Sequence, residues 1–167
     1  VLSGCFPYSV QKNDDVFQKK AIEDFVGDEL TFGNMYNVGK HISSWYAAWK
    51  GIVYAELRDA KAYGSLKQAN ESAGCFGEMF EINEKGCVFR PWFTTAAGAY
   101  IYAVNRMLVQ RYGDVILIAP ALAQCEKTFG FTLPVYKNTV VSVRVENLSL
   151  ADITIHSTYS GLKVKLP

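Results

Sequence analysis

Three carboxylates, Glu78, Glu81 and Glu84, fall together in the glycine-punctuated stretch CFGEMFEINEKGCVF, and the segment Arg90-Pro91-Trp92-Phe93 follows directly. Acid and aromatic surface side by side are the ingredients of sugar hydrolysis. A positioned carboxylate activates water while a flat apolar face packs on the ring. The plainer reading of the same residues is a solvated acidic loop that caps a buried helix. Around this stretch, Trp92 is a candidate stacking platform, with packing at a helix entrance as its alternative. Arg90 could hold a substrate carboxylate or pair with Glu84. His41 lies in a glycine-rich approach to a tryptophan-bearing helix and could bind sugar hydroxyls or serve only as a helix-entry residue.

The elements that must position these groups are legible in the periodicity. Asn13 or Asp14 can cap a helix running to about Val26, with Val16, Phe17, Ile22, Phe25 and Val26 on its apolar side. Residues 30–40 read as a loop with ordered aromatics. Ser43 or Ser44 then caps a strong helix in which Trp45, Ala48, Trp49, Ile52, Val53 and Leu57 recur at helical spacing. A break near Asp59 precedes a second helix to Asn70, weakened by Gly64. Thr94 or Thr95 is placed to cap a further helix from about Ala96 to Arg111, with Tyr100, Ile101, Val104, Met107 and Leu108 on its expected buried side. The small residues Ala96 to Ala99 at its start allow another backbone or a ligand to come close.

From Asp114 the period changes from helical to alternating, and VILIAPAL, FTLPVY, TVVSVRVEN, DITIHSTY and LKVKL read as about five strands. The expected architecture is therefore α+β, a helical part over 1–112 and a β domain over 113–167, with no linker between them. Half of the residues are hydrophobic and the formal net charge is +1 with acids and bases interspersed, which gives no electrostatic footprint for nucleic acid or a membrane surface. The longest apolar run, Val115 to Leu122, falls well short of the roughly 20 residues of a membrane span. The chain reads as soluble, and a first residue of Val1 fits a processed protein or an excised fragment. The four cysteines form no close metal-binding pair, so neither a metal nor another cofactor is expected. Cys75 and Cys87 flank the acidic loop either as a disulfide or as free thiols.

The helix SSWYAAWKGIVYAELRDAKAYGSL resembles the late helical hairpin of six-hairpin glycosidases, notably family 95 of the glycoside hydrolases, on Trp45, Ala48, Trp49, Leu57, Asp59, Ala62 and Tyr63. The segment MLVQRYGDVILIAPALA is similar to that family's junction between last helix and C-terminal sheet, on Met107, Leu108, Gln110, Gly113, Asp114, Pro120, Ala121 and Leu122. Family 95 carries its catalytic Asp in an Asp-x-Asn-Phe-Gly segment where this chain has PWFTTAAGAY, so its fucose specificity does not carry over. The order Glu78-Met79-Phe80, Gly86, Pro91-Trp92-Phe93 instead resembles rhamnosidase-like and trehalase-like members, whose corresponding Glu is the general base. The resemblance implies the last hairpins of an (α/α)₆ toroid followed by a small antiparallel β-sandwich or sheet. It also implies Glu78 as base with Glu81 and Glu84 as fallbacks, and an oligo- or polysaccharide substrate. The upstream remainder of the barrel would supply the general acid, and a periplasmic or secreted location is implied. Hydrolysis and phosphorolysis both fit, and a carbohydrate-binding or structural module without catalysis is the alternative.

Overall fold

A computed structural model describes residues 44–70, 92–122 and 128–167, the helical positions 16, 20, 23 and 24, and the backbone of short strands at 37–38, 41–42, 81–82 and 88–90. Strands β1 (Asn37–Val38) and β2 (His41–Ile42) pair antiparallel and lead into helix α1 (Ser44–Glu56). Helix α2 (Lys61–Asn70) follows. Strands β3 (Glu81–Ile82) and β4 (Val88–Arg90) form a second antiparallel pair that leads into helix α3 (Thr94–Leu108). Then come β5 (Val109–Tyr112), β6 (Val115–Ile118), β7 (Phe129–Pro134), β8 (Val140–Glu146), β9 (Ser149–His156) and β10 (Lys163–Lys165). The architecture is α+β, as the change of period requires.

Helix α1 is buried on nearly every side, which marks it as the centre of the helical layer. It ends because Arg58 takes φ +60 just beyond it, turning the chain so that the Arg58 N–H reaches the Ala55 carbonyl at 2.9 Å and the Asp59 N–H reaches that of Tyr54 at 2.9 Å. This pair of bonds is the Schellman closure, here without the usual glycine. Asp59 then starts α2 by accepting the Lys61 N–H on its side chain at 2.9 Å, the capping role its residue type predicts.

Helix α3 differs from expectation in both its ends and its buried face. Its N-cap is Phe93, with no side-chain cap, and Thr94 is already helical. Its buried residues are Ala96, Ala99, Ala103 and Met107, while Ile101 is 61% exposed. The reason is the partner. A β-carbon built on Gly51 of α1 would stand 3.1 Å from Leu66 of α2 and at ordinary contact distance, 3.6 Å, from that of Ala103, so the face α3 turns to α1 is its small-residue stripe.

The end of α3 comes at Leu108 rather than Arg111, because the sheet takes over the last-turn carbonyls. The Val109 N–H bonds to Asn105, the Gln110 side chain donates to the Arg106 carbonyl at 2.9 Å, and the Ala121 and Ala119 N–H groups reach Met107 and Leu108 at 3.4 and 2.7 Å. Every orphan acceptor of the helix end is thereby satisfied. The expected division at 112/113 consequently falls inside the β5–β6 hairpin, and the change from helix to strand sits at 108/109.

The five expected strands are all present as β6 to β10, in two three-stranded sheets ordered β10-β6-β5 and β7-β8-β9. The expectation of a wholly antiparallel β part needs correction, since β10 runs parallel to β6 after a long return connection. Alternation sets the layers. Val109, Ile116 and Ile118 face the second sheet, whose rows Phe131, Val143, Ile153 and Leu133, Val141, Ile155 complete one core. Gln110 and Tyr112, on the other face of β5, reach back to the helices. The order of layers is helices, sheet, sheet, and each fully buried valine of β8 contributes about 1.5–3 kcal/mol.

The β8–β9 hairpin closes through Asn147 and Leu148 at φ +48 and +66, a type I′ loop. Leucine is a poor occupant of the left-handed region, and this one is half exposed. Leu148→Gly is expected to raise stability by about 0.5–1 kcal/mol, the relief of strain exceeding the added unfolded-state entropy. Urea unfolding would show this as a higher midpoint at unchanged slope.

Candidate functional site

Helices α1 and α3 run parallel, since Trp45 near the start of α1 meets Phe93 at the start of α3, and Glu56 at the end of α1 meets Arg106 near the end of α3. The common N-terminal end carries an aromatic wall. Trp45 and Trp49 lie one turn apart on α1 with ring centroids 5.6 Å apart and planes tilted by 42°, and Phe93 meets Trp45 edge-on at 6.4 Å. The residues expected as core are thus half-buried wall, packed on the helical core beneath. The Trp49 indole N–H is buried without a hydrogen-bond partner among the described residues.

Trp92 stands at the edge of this wall, 63% exposed and at φ +59. A bulky side chain held in the left-handed region and presented to solvent is an outlier of the kind that clusters at ligand sites. Neither α1 nor α3 has an acidic residue in its first turn, and the first N–H groups of α3 have no side-chain cap. The start of α3, which lacks a side-chain cap, favours negative charge at this end.

The approaches to both helices carry the other predicted residues. His41, in β2, immediately precedes α1, and its Cα pairs with that of Val38. Arg90, in β4, immediately precedes α3, and its Cα partner is Glu81 in β3. Glu78 and Glu84 lie outside the described residues, as do the four cysteines. His156 is exposed on β9, opposite Val140, and belongs to the outer face of the second sheet.

A polar cluster that periodicity did not disclose occupies the opposite end of the helix pair, about 16 Å away by the rise of α1. Glu56, 5% exposed, accepts from Arg106 Nε at 2.5 Å and Nη2 at 2.9 Å, and the Tyr112 hydroxyl lies 3.1 Å from its second oxygen. The same hydroxyl is 3.1 Å from Gln110 Oε1, and the Gln110 amide donates to the Ala55 carbonyl at 2.5 Å. Burial opposes the charge on Arg106, but the hydrogen bond and attraction of Glu56 outweigh it and hold the guanidinium more firmly protonated than usual. With its oxygens committed in this way, Glu56 serves as a clasp between α1, α3 and β5. The one sequence signal was a lone glutamate inside the apolar run GIVYAEL.

On α1, Lys50 is partly buried with Nζ 2.6 Å from Gln68 Oε1, and burial lowers its pKa from the usual 10.5. In the window between the lowered value and 10.5 the unfolded chain binds the extra proton, so stability rises with pH there. Lys50→Met is expected to flatten that alkaline rise, as measured by urea unfolding between pH 8 and pH 10.5.

Among the described residues no group of three or more His, Cys, Asp or Glu could hold a metal ion, and no described helix is long and apolar enough to cross a membrane. The chain matches no protein-family model and no curated protein. Fold and site together define an α+β protein in which a parallel helix pair presents an aromatic wall at its N-terminal end.

Proposed function

We propose that the chain is the C-terminal part of a glycoside hydrolase of the six-hairpin kind, with α1 to α3 drawn from the last hairpins of an (α/α)₆ ring and the sandwich closing the polypeptide. One observation carries the reading: α1 and α3 are parallel neighbours, α2 runs back from the first, and the shared N-terminal end bears Trp45, Trp49, Phe93 and the exposed Trp92. Successive hairpins laid around a ring produce this pattern, because two reversals return each helix to the direction of its ring neighbour. The acidic stretch ends where this wall begins.

In this reading an oligosaccharide stacks on Trp92, with His41 and Arg90 in reach of its polar groups. Glu78 acts as the base that removes a proton from water during inverting attack, and Glu81 and Glu84 are its fallbacks. The start of α3 favours the ionised form such a base needs. Inversion requires a second carboxyl group about 6.5–9.5 Å away to protonate the leaving oxygen. That acid comes from an earlier hairpin. The 167-residue chain by itself is expected to leave aryl glycosides intact, whereas the protein that includes the preceding hairpins hydrolyses them. Turnover by the 167-residue chain would refute the division of acid and base, and absence of turnover by the longer protein would refute the glycosidase reading.

A further inference from the structure

Between the helical layer and strand β7 lies a cleft of about 240 Å³, lined by Tyr63, Tyr100, Val104, Met107, Phe129 and Phe131 among others, with no charged side chain among the described residues of its wall. It falls where the two hydrophobic cores fail to merge. Tyr63, Tyr100, Val104 and Met107 belong to the helical core, and Phe129 and Phe131 to the sandwich core. All four aromatic side chains remain only half buried. Apolar ring surface left at the boundary of two cores is an unused source of binding energy, roughly 25 cal/mol for each Å² removed from water. A smaller engineered cavity lined by aliphatic and aromatic groups accepts benzene, so the space suffices for one substituted ring.

The polar end of the cleft is equally specific. Tyr100 accepts a hydrogen bond from the Asn70 amide at 3.1 Å on the solvent side. With its oxygen occupied in that way, the hydroxyl hydrogen is available to an acceptor. Gly130, between the two phenylalanines, also lines the cleft. Its φ is not positive, and a β-carbon there would meet only the Val143 carbonyl at 3.4 Å, so neither strain nor a clash demands glycine. Alternation turns the missing side chain to the outer face, away from Phe129 and Phe131, so Gly130 meets the cleft only with its backbone.

We propose that this cleft binds a small uncharged aromatic molecule carrying a hydrogen-bond acceptor, with the ring between Tyr63, Tyr100, Phe129 and Phe131 and the acceptor on the Tyr100 hydroxyl. The site is separate from the wall at the N-terminal end of α1 and α3 and does not depend on the glycosidase reading. Acetophenone and ethylbenzene have nearly the same shape and differ in the acceptor, which makes them the test pair. Each is titrated into the 167-residue chain while the Met107 methyl resonance is followed. Acetophenone is expected to bind saturably and about three- to tenfold more tightly than ethylbenzene, the worth of one hydrogen bond. Tyr100→Phe should erase that difference while leaving ethylbenzene binding unchanged, and Val104→Trp should fill the space and abolish both. The proposal is overturned if neither probe moves Met107 saturably, if the two bind equally well to the unaltered chain, or if Tyr100→Phe preserves the preference. Binding that survives in a folded Val104→Trp variant would equally exclude this cleft.

Discussion

Glu56→Ala is expected to cost about 3–5 kcal/mol, the penalty for breaking a buried ion pair by removing one partner. The residue that suffers is Arg106, whose side chain retains 18% exposure against 7% for Glu56. Some solvent therefore reaches the stranded guanidinium, and the lower half of the range is the better expectation. At roughly 2–4 °C per kcal/mol for a chain of this size, the melting temperature should fall by about 6–16 °C. The loss has a second component, because the Tyr112 hydroxyl gives up its hydrogen bond to Glu56. Thermal unfolding of Glu56→Ala, Arg106→Leu and the double variant distinguishes pair from packing. If the clasp acts as a unit, the double variant should be more stable than Glu56→Ala, since no charge is then left buried. Equal and additive losses would show that the two side chains act independently.

Glu78→Gln in the longer protein is the prediction with the largest effect on activity. Glutamine keeps the size and most of the hydrogen bonding of glutamate but cannot take up the proton released as water attacks. A loss of about 10²–10⁴-fold in kcat is expected, the usual worth of a positioned base, with KM changed little because ground-state contacts persist. The fallbacks supply the internal comparison. With Glu78 as the base, Glu81→Gln and Glu84→Gln should each leave turnover nearly intact. A larger loss from either would move the base role to that residue. A carbohydrate-binding module would behave differently, with sugar affinity following Trp92 and no catalytic loss to assign to any of the three.

Local pattern served well wherever one element's environment is set by its own face. Strands β7 to β9 alternate because one side of each packs into the sandwich core and the other meets water. The Asp59 break is likewise local, since a side chain two residues from an N–H decides it. Helix α3 shows where this fails. Its sequence offers two apolar sides, one of large residues around Ile101 and one of alanines. The burial rule favours the larger, yet the side that packs on α1 is the one of alanines. Strand β5 was concealed for a related reason: Val109 to Tyr112 continues a helical period, and only pairing with β6 draws it into the sheet.

By itself, then, the amino-acid sequence determined an α+β chain, the positions of most of its helices and strands, and the gathering of carboxylates and aromatics between residues 75 and 93. Tertiary structure alone decided that α1 and α3 lie parallel, that Trp45 and Phe93 share a wall, and that Glu56 finds Arg106 fifty positions away. The physical reason is one of range. Periodicity reports which side of an element avoids water, through the hydrophobic effect acting on each residue. Which buried group meets which depends on backbone approach distances and hydrogen-bond geometry between elements, and no spacing within a single element records those.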